Sequence, residues 1–535
     1  MNKANQPPPL VDYNLFESDA PLRESLEREN GSWAFDLVHD LGALAGTQKA
    51  IDWGFQAKAN PPQLRTHNRF GDRIDEVEFH PAWHELMHVA IGHGLHALPW
   101  REQRDGAHAA RAAAFYVWSQ VEGGHGCPVS MTYAAIPTLR KTPALAKEWE
   151  PLATTLDYDP GLQPHESKKG VLFGMAMTER QGGSDVRANI TTATPTGADG
   201  AYLLNGQKWF CSAPMCDAFL VLAQAPRGLS CFLLPRVLPD GTRNGFHIQR
   251  LKDKLGNRSN ASSEIELDDA LAVLVGEEGD GVRTIIEMVN HTRLDCVVGS
   301  ASLMRQAVAQ ATHHTAHRSA FGKLLAYQPL MANVLADIAL ESEATTILMM
   351  RLAAAFDRNE SAFRRIGVAI AKYWTCKRAI SVAAEALECH GGNGYVEESI
   401  LPRLYREAPL NSIWEGSGNV NALDVLRAMR RDPETVGAFF AEVEQARGMD
   451  RRFDHALDRL IADVKSIDSA ESRARMLVER MAVVLQASLL LRHGDAAVAE
   501  LLCSSRIGGE WGHTFGTLPS SNQFKSVIER HRPRL

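Results

Sequence analysis

The residues of this 535-residue sequence best suited to chemistry fall in four short, ordered segments. The first, Met177-Thr178-Glu179-Arg180-Gln181-Gly182-Gly183-Ser184-Asp185-Val186, sets glycines beside hydroxyls. The backbone N–H groups and side-chain oxygens of such a turn suit a phosphate or a flavin edge. The second, Gly206-Gln207-Lys208-Trp209-Phe210-Cys211-Ser212, is an aromatic strand ending in a hydroxyl. Arg318-Ser319-Ala320-Phe321-Gly322-Lys323, followed by Gln328, is the third. The fourth begins Gly391-Gly392-Asn393-Gly394-Tyr395 and passes through Arg403-Leu404-Tyr405-Arg406. It ends in Ile413-Trp414-Glu415-Gly416-Ser417-Gly418-Asn419, where a carboxylate stands in a glycine turn. Singly, each also reads as something plainer: a surface turn, a hairpin, a helix end, or two glycine turns about a short segment.

The spacing of apolar residues shows what must hold these segments. Residues 1–30, with prolines at 7–9, read as an irregular arm, and 33–165 as a helical domain typified by Ala109–Gln120. Short apolar or alternating runs follow at Val171–Thr178, Ala201–Ser212, Ala218–Gln224, Leu229–Pro235 and Ser262–Leu267. Turn residues at Thr196–Gly197, Asn205–Gly206 and Asp240–Gly241 divide them, which predicts a compact antiparallel sheet or barrel. Gly281–His317, Pro329–Arg358 and Ser361–Cys389 are long, amphipathic and free of internal proline, so they predict a helix bundle. A further helical stretch (Asp450–Val464, Ala470–Leu491) ends in a basic tail from Arg530 to Arg534. The expected domains are therefore residues 1–170, 171–278, 279–432 and 433–535. The fold class is α+β, mainly α.

Taken together and in order, the four segments resemble the acyl-CoA dehydrogenase family over about residues 80–428. The resemblance implies N-terminal helices, a middle β-domain and a four-helix bundle, with FAD held between them at a subunit interface of a homotetramer. By position, Thr178 and Ser184 resemble the flavin-ring and pyrophosphate contacts. Phe210 stands where the family usually has a Trp over the flavin, and Ser212 where it has a Thr at the reactive nitrogen. Arg318, Phe321 and Gln328 resemble the element that reaches the FAD of the neighbouring subunit. Gly391 and Gly392 resemble the glycine turn beside the adenosine, and Ser417 and Asn419 the residues closing over the cofactor. Glu415 takes the position of the catalytic base. Dehydrogenating an acyl-CoA thioester sends an α-proton to a base and a β-hydride to the flavin, so a desolvated carboxylate with a raised pKa belongs there.

Several departures separate the chain from an ordinary member. Arg180-Gln181 replaces a Pro-Gly, Glu388 stands for a Gln before the glycine turn, and Trp414 replaces a Tyr beside the base. About a hundred residues follow the bundle. The stretch Arg250–Ala261, with the segments around Ser184 and Glu415, resembles the AidB-like, alkylation-response branch. That likeness implies non-specific binding of double-stranded DNA through the C-terminal region and weak dehydrogenation. The rival readings are a working short- or branched-chain acyl-CoA dehydrogenase of the isovaleryl-CoA type, and a flavin-stabilised scaffold. Arg427, Arg430 and Arg431 share a helical face and are the candidate phosphate contacts. From Arg427 onward, 17 Lys and Arg stand against 15 Asp and Glu, about +2, within a chain of net charge −7. A polyanion should therefore meet this part first. Acidic residues interleave with the arginines, so an ion-paired surface is the plainer alternative.

Other classes are disfavoured. His84-Glu85-Leu86-Met87-His88 matches a zinc pattern, yet no third ligand follows at a recognisable spacing, and Cys211 and Cys216 lack a second pair. No metal is expected. Eight scattered cysteines read as reduced, buried thiols. No apolar run reaches membrane-spanning length, and the first residues lack a signal-peptide core, so a cytoplasmic location is expected.

Overall fold

The computed structural model describes residues 5–198, 200–465 and 471–535. In chain order, α1 (Ala20–Arg28), α2 (Phe35–Ala45) and α3 (Gln48–Ala59) lead into a hairpin of β1 (Gln63–His67) and β2 (Arg73–Glu78). Next come α4 (Pro81–Gly92), α5 (Leu98–Arg101), α6 (Ala107–Ser119), α7 (Gly126–Leu139) and α8 (Pro143–Ala153). The strands β3 (Phe173–Ala176), β4 (Thr192–Pro195), β5 (Ala201–Ser212) and β6 (Ala218–Ala225) follow. After them come β7 (Gly228–Pro235), β8 (Phe246–Leu251) and β9 (Ser262–Val275). The long helix α9 (Gly281–His317) precedes a small hairpin, β10 (Ser319–Ala320) and β11 (Lys323–Leu324). Two more long helices, α10 (Pro329–Asp357) and α11 (Ser361–Cys389), lead to α12 (Gly392–Tyr395), α13 (Leu401–Glu407) and α14 (Gly418–Arg431). The chain closes with α15 (Pro433–Val443), α16 (Arg451–Lys465), α17 (Ala474–His493), α18 (Ala496–Leu502) and α19 (Phe524–His531). Ala470, the expected start of a helix, lies outside the described residues.

The chain divides into two compact units. One comprises Lys49–Gln103 and Glu122–Thr292, and its centre is the sheet. Strand order runs β3-β6-β4-β5-β9-β7, β8 pairs with β9, and β7 returns to β6, so part of the sheet closes on itself. The expected all-antiparallel pattern is corrected, because β3 and β4 pair with β6 in parallel. The β1–β2 hairpin also interrupts a stretch expected to be helical. Its strands carry Arg65, Arg73, Asp75 and Glu76 and show no clean apolar alternation, so periodicity passes over them. Asn205–Gly206 is not a turn. It lies inside β5 at a bulge where the register with β9 shifts, and Gly206 has φ +153°. A Cβ there would stand 2.7 Å from the Thr191 Cα.

The other unit comprises Met1–Gln48, Arg104–Val121 and Arg293–Leu535. Its core helix is α10, in which every residue from Leu335 to Phe356 is buried, the pattern of a helix covered on all sides. The N-terminal arm is not wholly irregular. Asp19 caps α1 by accepting from Leu22 N, and Leu10, Tyr13, Leu15 and Phe16 are buried. Segments beyond the bundle dock onto buried acids of α10. Asp337 meets Arg506 at 2.5 Å, Glu341 meets Arg378 and Arg506 at 3.0 Å each, and Glu343 meets Arg530 at 3.1 Å. Among the described residues no helix is long and apolar enough to cross a membrane.

Candidate active site

In the sheet unit, β5 and the loop after β3 bring four of the expected residues together. Glu179 is buried and anchors the loop. Its Oε1 accepts from Lys208 Nζ at 2.7 Å, Thr191 Oγ1 at 2.6 Å and Thr191 N at 3.1 Å, and its Oε2 from Ile190 N at 2.8 Å. Burial alone would raise the carboxyl, but the Lys208 ammonium and these donors hold it down at about 2. Trp209 N donates to the Thr178 carbonyl at 2.9 Å, which stitches the loop to β5. A Cβ on Gly183 would meet Thr178 Oγ1 at 2.4 Å, so the loop curls back on that hydroxyl and leaves Ser184 exposed.

Strict alternation along β5 would turn Phe210 inward with Lys208. Instead the register with β9 shifts between Lys208 and Cys211. Lys208 and Cys211 are buried while Phe210 is 53% exposed, an unusual position for a phenyl ring and a fitting one for stacking on a planar cofactor. Lys252 Nζ lies 3.7 Å from the Trp209 ring centroid and 4.4 Å from that of Phe210. Ser212 stands opposite Ser262 on β9, with their hydroxyls 3.4 Å apart.

The helical unit carries the rest. Arg318 leaves the end of α9 and donates Nη1 to the Asn5 carbonyl at 2.7 Å, while Asn5 Nδ2 donates to the Ser319 carbonyl at 2.8 Å. Phe321 tops the β10–β11 hairpin at φ +52° and is 98% exposed, and Gln328 Nε2 ties the hairpin base through the Ala320 carbonyl at 2.9 Å. Asn393, beside Gly391 and Gly392, donates to Gln6 Oε1 at 3.2 Å, so adjacent arm residues bridge the arginine and the glycine turn. The rings of His314 and His390, one near the end of α9 and one just past α11, meet at a 40° tilt with centroids 4.3 Å apart. Gly391 (φ +59°) and Gly392 have open space where a Cβ would stand.

Glu415 lies in the turn before α14 with φ +57°, followed by Gly416 at +97°. Arg293 Nε donates to the Glu415 carbonyl at 3.0 Å, and Arg293 Nη1 meets Asp424 at 2.7 Å. Asn421 Nδ2 donates to the Gly416 carbonyl at 2.6 Å. Ser417 and Asn419 are exposed, and Asn419 Oδ1 accepts from Arg475 Nε of α17 at 2.8 Å. Arg293 and Asn421 were not singled out from sequence, and Lys208 and Glu179 stood only as members of their segments, without the anchoring role the structure gives them. A polar residue buried in a long helix or strand leaves no local signature of what it holds.

Arg427, Arg430 and Arg431 are exposed together on α14. Arg427 pairs with Asp424 at 3.2 Å and Arg430 with Glu471 at 4.0 Å. Other C-terminal arginines are committed: Arg447 to Glu444 at 2.5 Å, Arg452 to Asp450 and Glu500 at 2.6 Å each, and Arg480 to Asp463. On α4, His84 Nδ1 is hydrogen-bonded to the Tyr158 hydroxyl at 2.9 Å, and His88 meets the same ring edge-on. Cys211 and Cys216 are buried free thiols.

Within the sheet unit, the exposed Phe210 and the hydroxyl-bearing loop at Thr178 and Ser184 suit a planar, phosphate-bearing group such as a flavin dinucleotide. Comparison with known proteins agrees. The family described as "Adaptive response protein AidB N-terminal domain" matches residues 5–160. "Acyl-CoA dehydrogenase, middle domain" matches residues 174–270, and "Acyl-CoA dehydrogenase, C-terminal domain" residues 279–430. AidB of Escherichia coli (strain K12) is 45% identical over 93% of this chain and 93% of its own. Acyl-CoA dehydrogenase family member 11 of Caenorhabditis elegans is 30% identical over 91% of this chain and 79% of its own. The crystal structure of C. elegans ACDH-11 in complex with C11-CoA superposes with TM-score 0.85 at 27% identity, covering 99% of this chain and 93% of that one.

Proposed function

Because the chain belongs to the acyl-CoA dehydrogenase family, on its AidB side, with FAD as the cofactor, we propose that it oxidises an acyl-CoA thioester with Glu415 as the base. The observation that carries this reading is the Glu415 turn: a carboxylate in the left-handed region whose own carbonyl is held by the buried Arg293. Glu415 takes the α-proton, the β-hydride leaves with its electron pair, and a double bond forms between the two carbons. FAD, when bound, supplies the two-electron acceptor for that hydride. Thr178, Ser184, Phe210 and Ser212 hold and orient it on the sheet side. Ser417 and Asn419 close over the cofactor, Gly391 and Gly392 form the turn beside its adenosine, and Arg318, Phe321 and Gln328 serve the cofactor of a neighbouring copy in a homotetramer. The 98% exposed Phe321 supports this last assignment, since a fully exposed phenyl ring wants a cover.

The test is anaerobic mixing of the FAD-loaded protein with a panel of acyl-CoAs, isovaleryl-CoA included. One of them should bleach the flavin, and Glu415→Gln should keep FAD while slowing bleaching by about 10²-fold or more. Unchanged bleaching in that variant removes Glu415 as the base.

A second role is favoured by the exposed arginine face of α14, where Arg431 makes no ion pair among the described residues. In this reading the protein, in the cytoplasm, binds double-stranded DNA without reading sequence, as part of an alkylation response. Changing Arg427, Arg430 and Arg431 together to Ala should weaken binding alike on all sequences. It should also flatten the salt dependence by up to about three phosphate contacts. DNA retention that ignores salt, or an unaltered triple variant, ends this reading.

A further inference from the structure

Lys372 lies in the middle of α11 and its side chain is 1% exposed. Its ammonium donates to the carbonyl of Trp414 at 2.6 Å and to that of Gly416 at 2.5 Å, the residues on either side of Glu415. With Arg293 on the Glu415 carbonyl at 3.0 Å, three consecutive carbonyls converge on two buried cations brought by α9 and α11. Between these cations Glu415 and Gly416 both take positive φ, at +57° and +97°. A left-handed glutamate is disfavoured and persists only where its surroundings over-determine it. Trp414 is secured on its other side, through Nε1 to Asn411 Oδ1 at 2.9 Å.

We propose that Lys372 is a positioning residue for the catalytic carboxylate, gripping the peptide units on both sides of Glu415 and fixing the left-handed turn from which its side chain reaches the substrate α-carbon. This rests on Glu415 being the base. The charged and titratable groups around the turn are Arg293 and Cys296 from α9, Cys376 and Lys377 from α11, Asp424 from α14 and Arg475 from α17.

Proton removal can be read apart from hydride transfer. Acetoacetyl-CoA has an acidic α-proton, and its enolate beside oxidised flavin gives a long-wavelength absorbance band without reducing the flavin. The rate of that band and the affinity for acetoacetyl-CoA would be measured in the FAD-loaded full chain for the natural sequence, Glu415→Gln, Lys372→Met and Lys372→Gln. Lys372→Met keeps the shape and removes every donor, whereas Lys372→Gln keeps neutral donors on a shorter arm. Both Lys372 variants should retain FAD and bind acetoacetyl-CoA within a few-fold. Their band should form about a hundredfold more slowly, a loss of rate with affinity kept that general misfolding would not give. A natural rate in both variants overturns the proposal while Glu415 stands. No band from the natural protein, or a band that survives Glu415→Gln, removes Glu415 as the base and this role with it. Loss of FAD from both Lys372 variants makes Lys372 a folding residue and also overturns the proposal.

Discussion

At Gly206 the backbone of β5 comes so near Thr191 that a methyl group finds no room, and its φ of +153° is one that side chains avoid. Thr191 is also a donor to Glu179, so pushing it away disturbs the loop that carries Thr178 and Ser184. Gly206→Ala should therefore cost about 1–3 kcal/mol, read from the denaturant midpoint, and should loosen FAD more than a distant substitution of equal cost. In sequence the Asn205–Gly206 pair looks like a hairpin turn, because that dipeptide supplies positive φ wherever the chain needs it. Which use it serves depends on the partner strand. Phe210 and Ser212 could be placed by motif, but the phase that turns Phe210 outward comes from a bulge that leaves no residue pattern behind. Lys372 and Arg293 were silent for another reason: each lies inside a long helix, and its partner is backbone far along the chain.

Among the elements, the loop after β3 and strand β5 are joined by a buried ion pair, and α7 is joined to the loop before β9 by Glu122. That carboxylate meets the His125 ring at 3.2 Å and accepts from Ser259 Oγ at 2.6 Å and from the amides of Gly124 and His125, and against the upward pull of burial the His125 side chain first, then these donors, hold it down at about 2. Both Glu122 and Glu179 are therefore depressed from an ordinary value near 4.5. Stability they provide is complete above that value and is lost as pH falls toward 2. Unfolding free energy followed by denaturant titration should fall across this window. Lys208→Met should cost about 3–5 kcal/mol, because it leaves Glu179 buried without its cation, and should move acid unfolding to higher pH. An unchanged acid midpoint would mean that the pair does not govern the loop. The long helices α9 and α11 could be drawn from sequence to the residue, since a proline-free amphipathic run of such length has no competing reading. Strands β4 and β8 could not, being four to six residues with mixed polarity.

Over the whole molecule, the hundred residues past the bundle bring arginines to carboxylates that α10 has buried. Arg506, 3% exposed, serves both Asp337 and Glu341. Arg506→Met should destabilise by about 3–5 kcal/mol, and thermal unfolding should show the loss. A melting temperature near the natural one would place the attachment elsewhere. Counting charges along the sequence could not show this use of cations. All eight cysteines are free and buried, spread from α7 through the sheet and bundle to the segment after α18. Burial pushes several thiols up, those of Cys211, Cys231, Cys389 and Cys503 to about 12. A thiol so placed reacts only when its surroundings open. The protein thus carries its own set of opening clocks: alkylation followed cysteine by cysteine would time the breathing of each region without adding a probe.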